Sequence, residues 1–145
     1  DPTEKYLVTG QDRKLCLLST TNGKVSRNWR TDGAGAIVKV EIDPAGLHVA
    51  TSSADKLIRL YDMYTGEYIA KFGGHSEFVT SIKFTPDCRR IISVSGDGCI
   101  FVWALAGETT KAMLERLQEN ASTPRMPPST SPAAIAAILR AVVPM

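Results

Sequence analysis

Gly74-His75 opens a stretch that continues through Val79-Thr80-Ser81-Ile82-Lys83-Phe84 and turns at Thr85-Pro86-Asp87-Cys88. It resumes as Ile91-Ile92-Ser93-Val94-Ser95-Gly96-Asp97 and closes at Val102-Trp103. The apolar runs are short, rich in β-branched residues and separated by turn formers, the pattern of strands rather than helices. The pattern also recurs. Asp55 and Asp97 lie 42 residues apart, Tyr61 and Trp103 share that offset, and Ser19 stands the same distance before Tyr61. A period of about 40–45 residues with four strand-like segments in each marks a repeat protein whose units stack on their neighbours. Such a stack is a binding platform more readily than a catalyst.

Residues 1–106 therefore divide into a partial unit over 1–30, a second over 31–73 and a third over 74–106. In the first, Tyr6–Thr9 and Lys14–Ser19 read as strands, Asn22-Gly23 as a hairpin turn and Val25–Trp29 as a further strand. The second carries strands at Ile37–Ile42, His48–Ser52, Leu57–Tyr61 and Glu67–Phe72, with turns at Asp43-Pro44-Ala45-Gly46 and Thr65-Gly66. After Trp103 no fourth strand follows. Residues 107–120 are rich in helix formers, with Met113, Leu114 and Leu117 on one face. Residues 121–145 begin as a linker holding Pro124, Pro127, Pro128 and Pro132 among Ser and Thr. They end in a short apolar helix whose face is Ile135, Ile138, Leu139, Val142 and Val143.

The 145 residues are 43% hydrophobic and 22% charged, with a formal charge of +2. Lys and Arg are scattered, so the basic stripe that nucleic-acid binding needs is missing and that partner class is disfavoured. Cys16, Cys88 and Cys99 are odd in number and lack CxxC spacing, which argues against a disulfide framework or a zinc site and for a reducing compartment. The opening Asp1-Pro2-Thr3-Glu4-Lys5 has no apolar core of a signal peptide. The apolar run Ala133–Val143 contains Arg140 and falls short of the roughly 20 residues of a membrane span. Gly96-Asp97-Gly98 and Asp32-Gly33-Ala34-Gly35 open no helix and so do not read as phosphate loops. Neither His75 nor His48 sits near paired carboxylates, and His48 reads as a strand or core residue. No catalytic residue, metal ligand or cofactor site is assigned. Arg13-Lys14-Leu15-Cys16-Leu17 fits a loose kinase-docking pattern, but Leu15 and Leu17 alternate on a strand and read first as core. Thr123-Pro124 and Ser131-Pro132 are minimal proline-directed phosphorylation sites.

The order of signals from Gly74-His75 to Trp103 resembles one blade of a WD-repeat β-propeller. The expected fold class is all-β: about two and a half WD40 blades, an incomplete ring, with a short C-terminal helix and a disordered tail. The resemblance implies that His75, Ser93, Asp97 and Trp103 form a hydrogen-bonded tetrad. A His ring can bridge an Asp carboxylate and a Ser hydroxyl, and that Ser can accept from an indole N–H. A catalytic Ser-His-Asp set is the competing reading. Thr51, Asp55 and Tyr61 match the pattern in the second repeat, where Asp32-Gly33 replaces the Gly-His pair. That tetrad is incomplete and its blade is expected to be held more loosely. In the first repeat Ser19 takes the Trp position.

More specifically, Val38–Gly46, Ala50–Lys56, Thr65–Lys71, Gly74–Glu77 and Phe84–Trp103 together resemble the final blades of the mitogen-activated-protein-kinase-binding protein 1 and WD-repeat protein 62 family. The resemblance covers residues 5–120 and not the Pro-rich tail. It implies a large non-catalytic scaffold that binds other proteins, with stress-activated kinases among them. It implies a cytoplasmic place and, for some members, the centrosome or spindle pole. No membrane partner is expected. A WD-repeat subunit of an RNA-processing complex is the alternative. Residues 1–106 hold too few repeats to close a ring of four to eight blades, so the chain is expected to be part of a longer one. Partners of such blades meet the loop before the first strand, here Ser76-Glu77-Phe78, with Phe78 as the candidate anchor.

Overall fold

The computed structural model describes residues 4–33 and 35–122. Within them, strands β1 (Tyr6–Gln11), β2 (Lys14–Ser19) and β3 (Val25–Arg30) form one antiparallel sheet. Strands β4 (Ile37–Ile42), β5 (His48–Ser53), β6 (Ile58–Asp62) and β7 (Tyr68–Phe72) form a second. Strands β8 (Val79–Phe84), β9 (Arg90–Ser95) and β10 (Ile100–Ala104) form a third. Each sheet is a meander in sequence order, the form that alternating segments joined by tight turns produce. The architecture is mostly β with blade-like sheets and a short C-terminal helix, as expected. Helix α1 (Gly107–Ser122) runs through Ala121 and Ser122, where a linker was expected to begin. The expected tail of residues 123–145 lies outside the described residues.

The turns show why the repeat is regular. Asp12, Lys56 and Gly98 adopt φ of 52°, 69° and 76° at the β1–β2, β5–β6 and β9–β10 hairpins. At the β4–β5 turn Asp43 accepts from the backbone N–H groups of Ala45, Leu47 and His48. Gly66 is required on two counts: its φ is 76°, and a Cβ would meet the Trp29 ring at 3.1 Å.

One sequence alignment needs correction. The pairing of β2 with β3 shifts between Leu17 and Leu18, and that of β6 with β7 between Leu60 and Tyr61. Gly23 N–H also donates to Ser19 as Gly66 N–H donates to Asp62. Leu18, not Ser19, therefore matches Tyr61. The cause is the β1–β2 turn, where only Asp12-Arg13 separate the strands, so the offset grows by one residue beyond it.

Two apolar clusters join the sheets. Leu15 and Leu17 pack with Val49, Tyr61 and Met63 between the first and second. Ala50, Ile58 and Leu60 pack with Val79, Ile82 and Ile91 between the second and third. Met113 of α1 is fully buried in that second cluster with Ala45 and Cys88, so the helix lies over the β4–β5 and β8–β9 turns. These turns define one rim. The β5–β6 and β9–β10 hairpins and the segment entering β8 define the other. The second sheet shows the period's consequence for the third. Ala50, Ile58 and Leu60 are at most 1% exposed, whereas Ile92, Ile100 and Val102, 42 residues on, are 36%, 67% and 58% exposed. The same face is covered in one blade and open in the next.

Candidate functional site

His75 enters from the segment before β8, Ser93 from β9, Trp103 from β10 and Asp97 from the β9–β10 turn. Trp103 Nε1 donates to Ser93 Oγ at 2.8 Å. His75 Nε2 lies 2.8 Å from the same oxygen, and His75 Nδ1 lies 3.0 Å from Asp97 Oδ2. An indole N–H only donates, so Ser93 accepts there and is free to donate its own proton to Nε2. His75 then carries its proton on Nδ1 and donates to Asp97. Asp97 also accepts from the backbone N–H groups of Ser76 and Cys99. The chain of bonds ties four parts of the blade together. Ser93 is fully buried and its oxygen is occupied from two sides, which leaves no approach for a substrate carbonyl. The His75 ring stacks on Phe101 at 4.4 Å.

Burial works against charge on Asp97, but the Cys99 and Ser76 N–H groups and the His75 ring outweigh it and hold the carboxyl well below the usual range. A depressed folded-state value gives stability that is present above the unfolded value of about 4 and lost as pH falls toward the folded one. An Asp97→Asn chain should therefore have a lower urea midpoint than the wild type at pH 7. The gap should narrow at pH 3, because the unfolded wild-type chain takes up a proton there while the folded chain keeps its carboxylate, a loss the Asn chain does not share. A gap that stays constant between the two pH values would remove Asp97 as the titrating group.

The second repeat is built differently. Thr51, Asp55 and Tyr61 do not form a connected set. Arg59 takes both carboxylate oxygens of Asp55, at 3.1 and 2.7 Å. Tyr61 OH accepts from the Asp32 N–H at 3.1 Å. Thr51 Oγ1 is buried without a hydrogen-bond partner among the described residues. The reason is the missing imidazole. Gly33 stands where the third repeat has His75, and the Arg59 guanidinium fills the vacated space: a Cβ on Gly33 would lie 2.7 Å from it. Arg59 itself matches Phe101, the ring that stacks on His75. Burial opposes the Asp55 charge, yet Arg59 holds the carboxyl below its ordinary range, and the Asp55 hydrogen bonds raise Arg59 in turn. The sequence reading missed Arg59. Its signal was a charge between Ile58 and Leu60 inside the apolar run Leu57–Tyr61, four residues after Asp55. Every residue of β5 is buried, with a sheet packed on either side of it.

Ser76, Glu77 and Phe78 lie together on the rim with the β5–β6 and β9–β10 hairpins, and all three are exposed. Their backbone is held from several sides. Ser76 N–H donates to Asp97, Lys56 Nζ donates to the Ser76 carbonyl at 2.6 Å, and Ser95 Oγ donates to the Glu77 carbonyl at 3.0 Å. Gly96 N–H donates to the Phe78 carbonyl. The Phe78 side chain is 49% exposed. The kinase-docking pattern fares otherwise: Leu15 and Leu17 are 0% and 2% exposed and lie in the core between sheets. Among the described residues no helix is long and apolar enough to cross a membrane.

The family model for the WD domain, G-beta repeat matches residues 24–62 and 66–104. Each match takes the outer strand of one sheet and three strands of the next, so the sequence repeat is staggered against the sheets. WD repeat-containing protein 62 of Sus scrofa is 45% identical over 122 residues, covering 82% of this chain and 8% of that protein. Mitogen-activated protein kinase-binding protein 1 of Mus musculus is 43% identical over the same share of each. Cilia- and flagella-associated protein 52 of Homo sapiens is 34% identical over 103 residues, covering 70% of this chain and 17% of that protein. The chain thus spans about 8% of the length of the first of these relatives. With two matched repeats folded as consecutive antiparallel blades, the chain belongs to the WD domain, G-beta repeat family.

Proposed function

We propose that this chain is a non-catalytic protein–protein interaction section of a kinase-signalling scaffold, with the Ser76-Glu77-Phe78 loop as its contact. The observation that carries the reading is an aromatic side chain left half open on a backbone already fixed by Asp97, Lys56 and Ser95. A preorganised loop loses little freedom on binding, and a large ring at its edge supplies contact area at low entropic cost. The name of one relative, a mitogen-activated protein kinase-binding protein, directs the first test to that kinase class. On this reading the scaffold works in the cytoplasm, at a spindle pole or related cytoskeletal structure, and a relative named for cilia and flagella supports the cytoskeletal part.

The test is biolayer interferometry of the 145-residue chain against a purified stress-activated kinase. Phe78→Ala should weaken capture at least tenfold while the melting temperature stays within about a degree, since exposed changes rarely exceed about 0.5 kcal/mol. Phe78→Trp should retain capture. A melting temperature lowered by several degrees with capture intact would give Phe78 a packing role instead and overturn the anchor assignment.

A further inference from the structure

On the opposite rim, α1 and the end of the third blade line an open groove of about 490 Å³. That volume lies within the range of small-ligand and peptide side-chain pockets. Leu105 and Leu114 supply an aliphatic floor, and Arg89, Arg90, Lys111 and Glu115 stand around it. Arg89 and Arg90 are adjacent and exposed. Neither guanidinium has a hydrogen bond or ion pair to a described residue, and Asp87 acts on both only at longer range. Lys111 meets Glu115 at 3.9 Å, a loose and exposed contact of little worth. The lining sets three cations against Glu115 alone, and with Asp87 at longer range counted the groove is still net positive, in a chain whose Lys and Arg are otherwise scattered.

We propose that this groove docks an acidic, leucine-bearing peptide segment of a partner protein: its carboxylates on Arg89 and Arg90, its apolar side chain on Leu105 and Leu114. Paired guanidiniums match carboxylates in a bidentate fork, and an aliphatic floor gives the neighbouring side chain a place to bury. Charge selects the occupant. Residues 123–145 of this chain carry Arg125 and Arg140 and no Asp or Glu, so they supply no side-chain carboxylate for the two guanidiniums. Among the described residues no aromatic side chain lines the groove, so it lacks the ring platform on which single-strand binders stack successive bases. The site is independent of the Phe78 loop.

Fluorescence anisotropy of the 145-residue chain tests this with three labelled probes: a Glu-Glu-Leu-Glu-Leu peptide, the same peptide with Lys for every Glu, and a ten-nucleotide oligouridylate. The acidic peptide should bind at least tenfold more tightly than either of the others. Arg89→Glu with Arg90→Glu should abolish its binding, and Leu114→Ser should weaken it at least threefold. Lys24→Glu with Lys71→Glu, an equal charge change at exposed positions outside the groove, should leave at least half the affinity. Phe78→Ala should leave it unchanged, which separates this site from the kinase-capture reading. Equal binding of the lysine peptide, tighter binding of the oligouridylate, or equal losses in the two charge-reversed chains would each overturn the proposal.

Discussion

Replacing Trp103 with alanine is expected to destabilise the chain by about 3–5 kcal/mol, the usual cost of deleting a large aromatic side chain from a packed setting. The indole lies 5.6 Å from Phe72 and 5.3 Å from Phe101, ring centre to ring centre, and so joins the second blade to the third. Its N–H also holds Ser93 in place. Two further variants separate these roles. Trp103→Phe keeps an aromatic ring and loses the donor, and should cost about 1–2 kcal/mol. Ser93→Ala keeps the ring but strips partners from both the indole N–H and His75 Nε2, which are buried together, and should cost about 2–4 kcal/mol. His75→Ala should fall near 1–3 kcal/mol, since Asp97 retains two backbone donors. Urea midpoints rank the four chains. An unchanged midpoint in Trp103→Ala would mean that the indole neither bridges the blades nor anchors the bond chain.

The elements were legible because strand chemistry and turn chemistry agree along the chain. Val79–Phe84 and Ile100–Ala104 are short runs rich in β-branched and aromatic residues, and Asn22-Gly23 and Thr65-Gly66 supply the left-handed glycines that hairpins need. The set His75, Ser93, Asp97 and Trp103 was legible because each side chain can supply one link of a donor–acceptor chain. What escaped was decided by geometry across the chain. The shortened β1–β2 turn moves every later residue of the first unit by one, and no local signal in Lys14–Ser19 reveals it. The burial of Met113 depends on α1 crossing two turns of different blades, which a helical face shows only as an apolar stripe. The open face of Ile92, Ile100 and Val102 reads as strand in sequence, and only the comparison with Ala50, Ile58 and Leu60 shows how little of it the described residues cover.

Arg59 is the clearest case, and its removal carries the other large effect. Arg59→Met should cost about 2–4 kcal/mol, because it leaves the Asp55 carboxylate, 18% exposed, with backbone donors alone, from Leu57 and its own N–H. Breaking a largely buried pair costs more than the pair contributes, since the stranded charge is poorly solvated. Asp55→Ala should be comparably harmful, as it strands a guanidinium that is 5% exposed. The double change should cost less than the sum of the two, the mark of direct coupling. The same logic predicts a rescue. Gly33→His alone should destabilise, because its Cβ would lie 2.7 Å from the guanidinium. Combined with Arg59→Phe it restores the pair of residues that the third blade holds as His75 and Phe101, and an imidazole can then bridge Asp55 to the unpartnered hydroxyl of Thr51. The combined chain should therefore be more stable than either single variant. If it were less stable than both, Arg59 would not be standing in for the missing ring, and the arginine–aspartate pair would owe its place to some other contact.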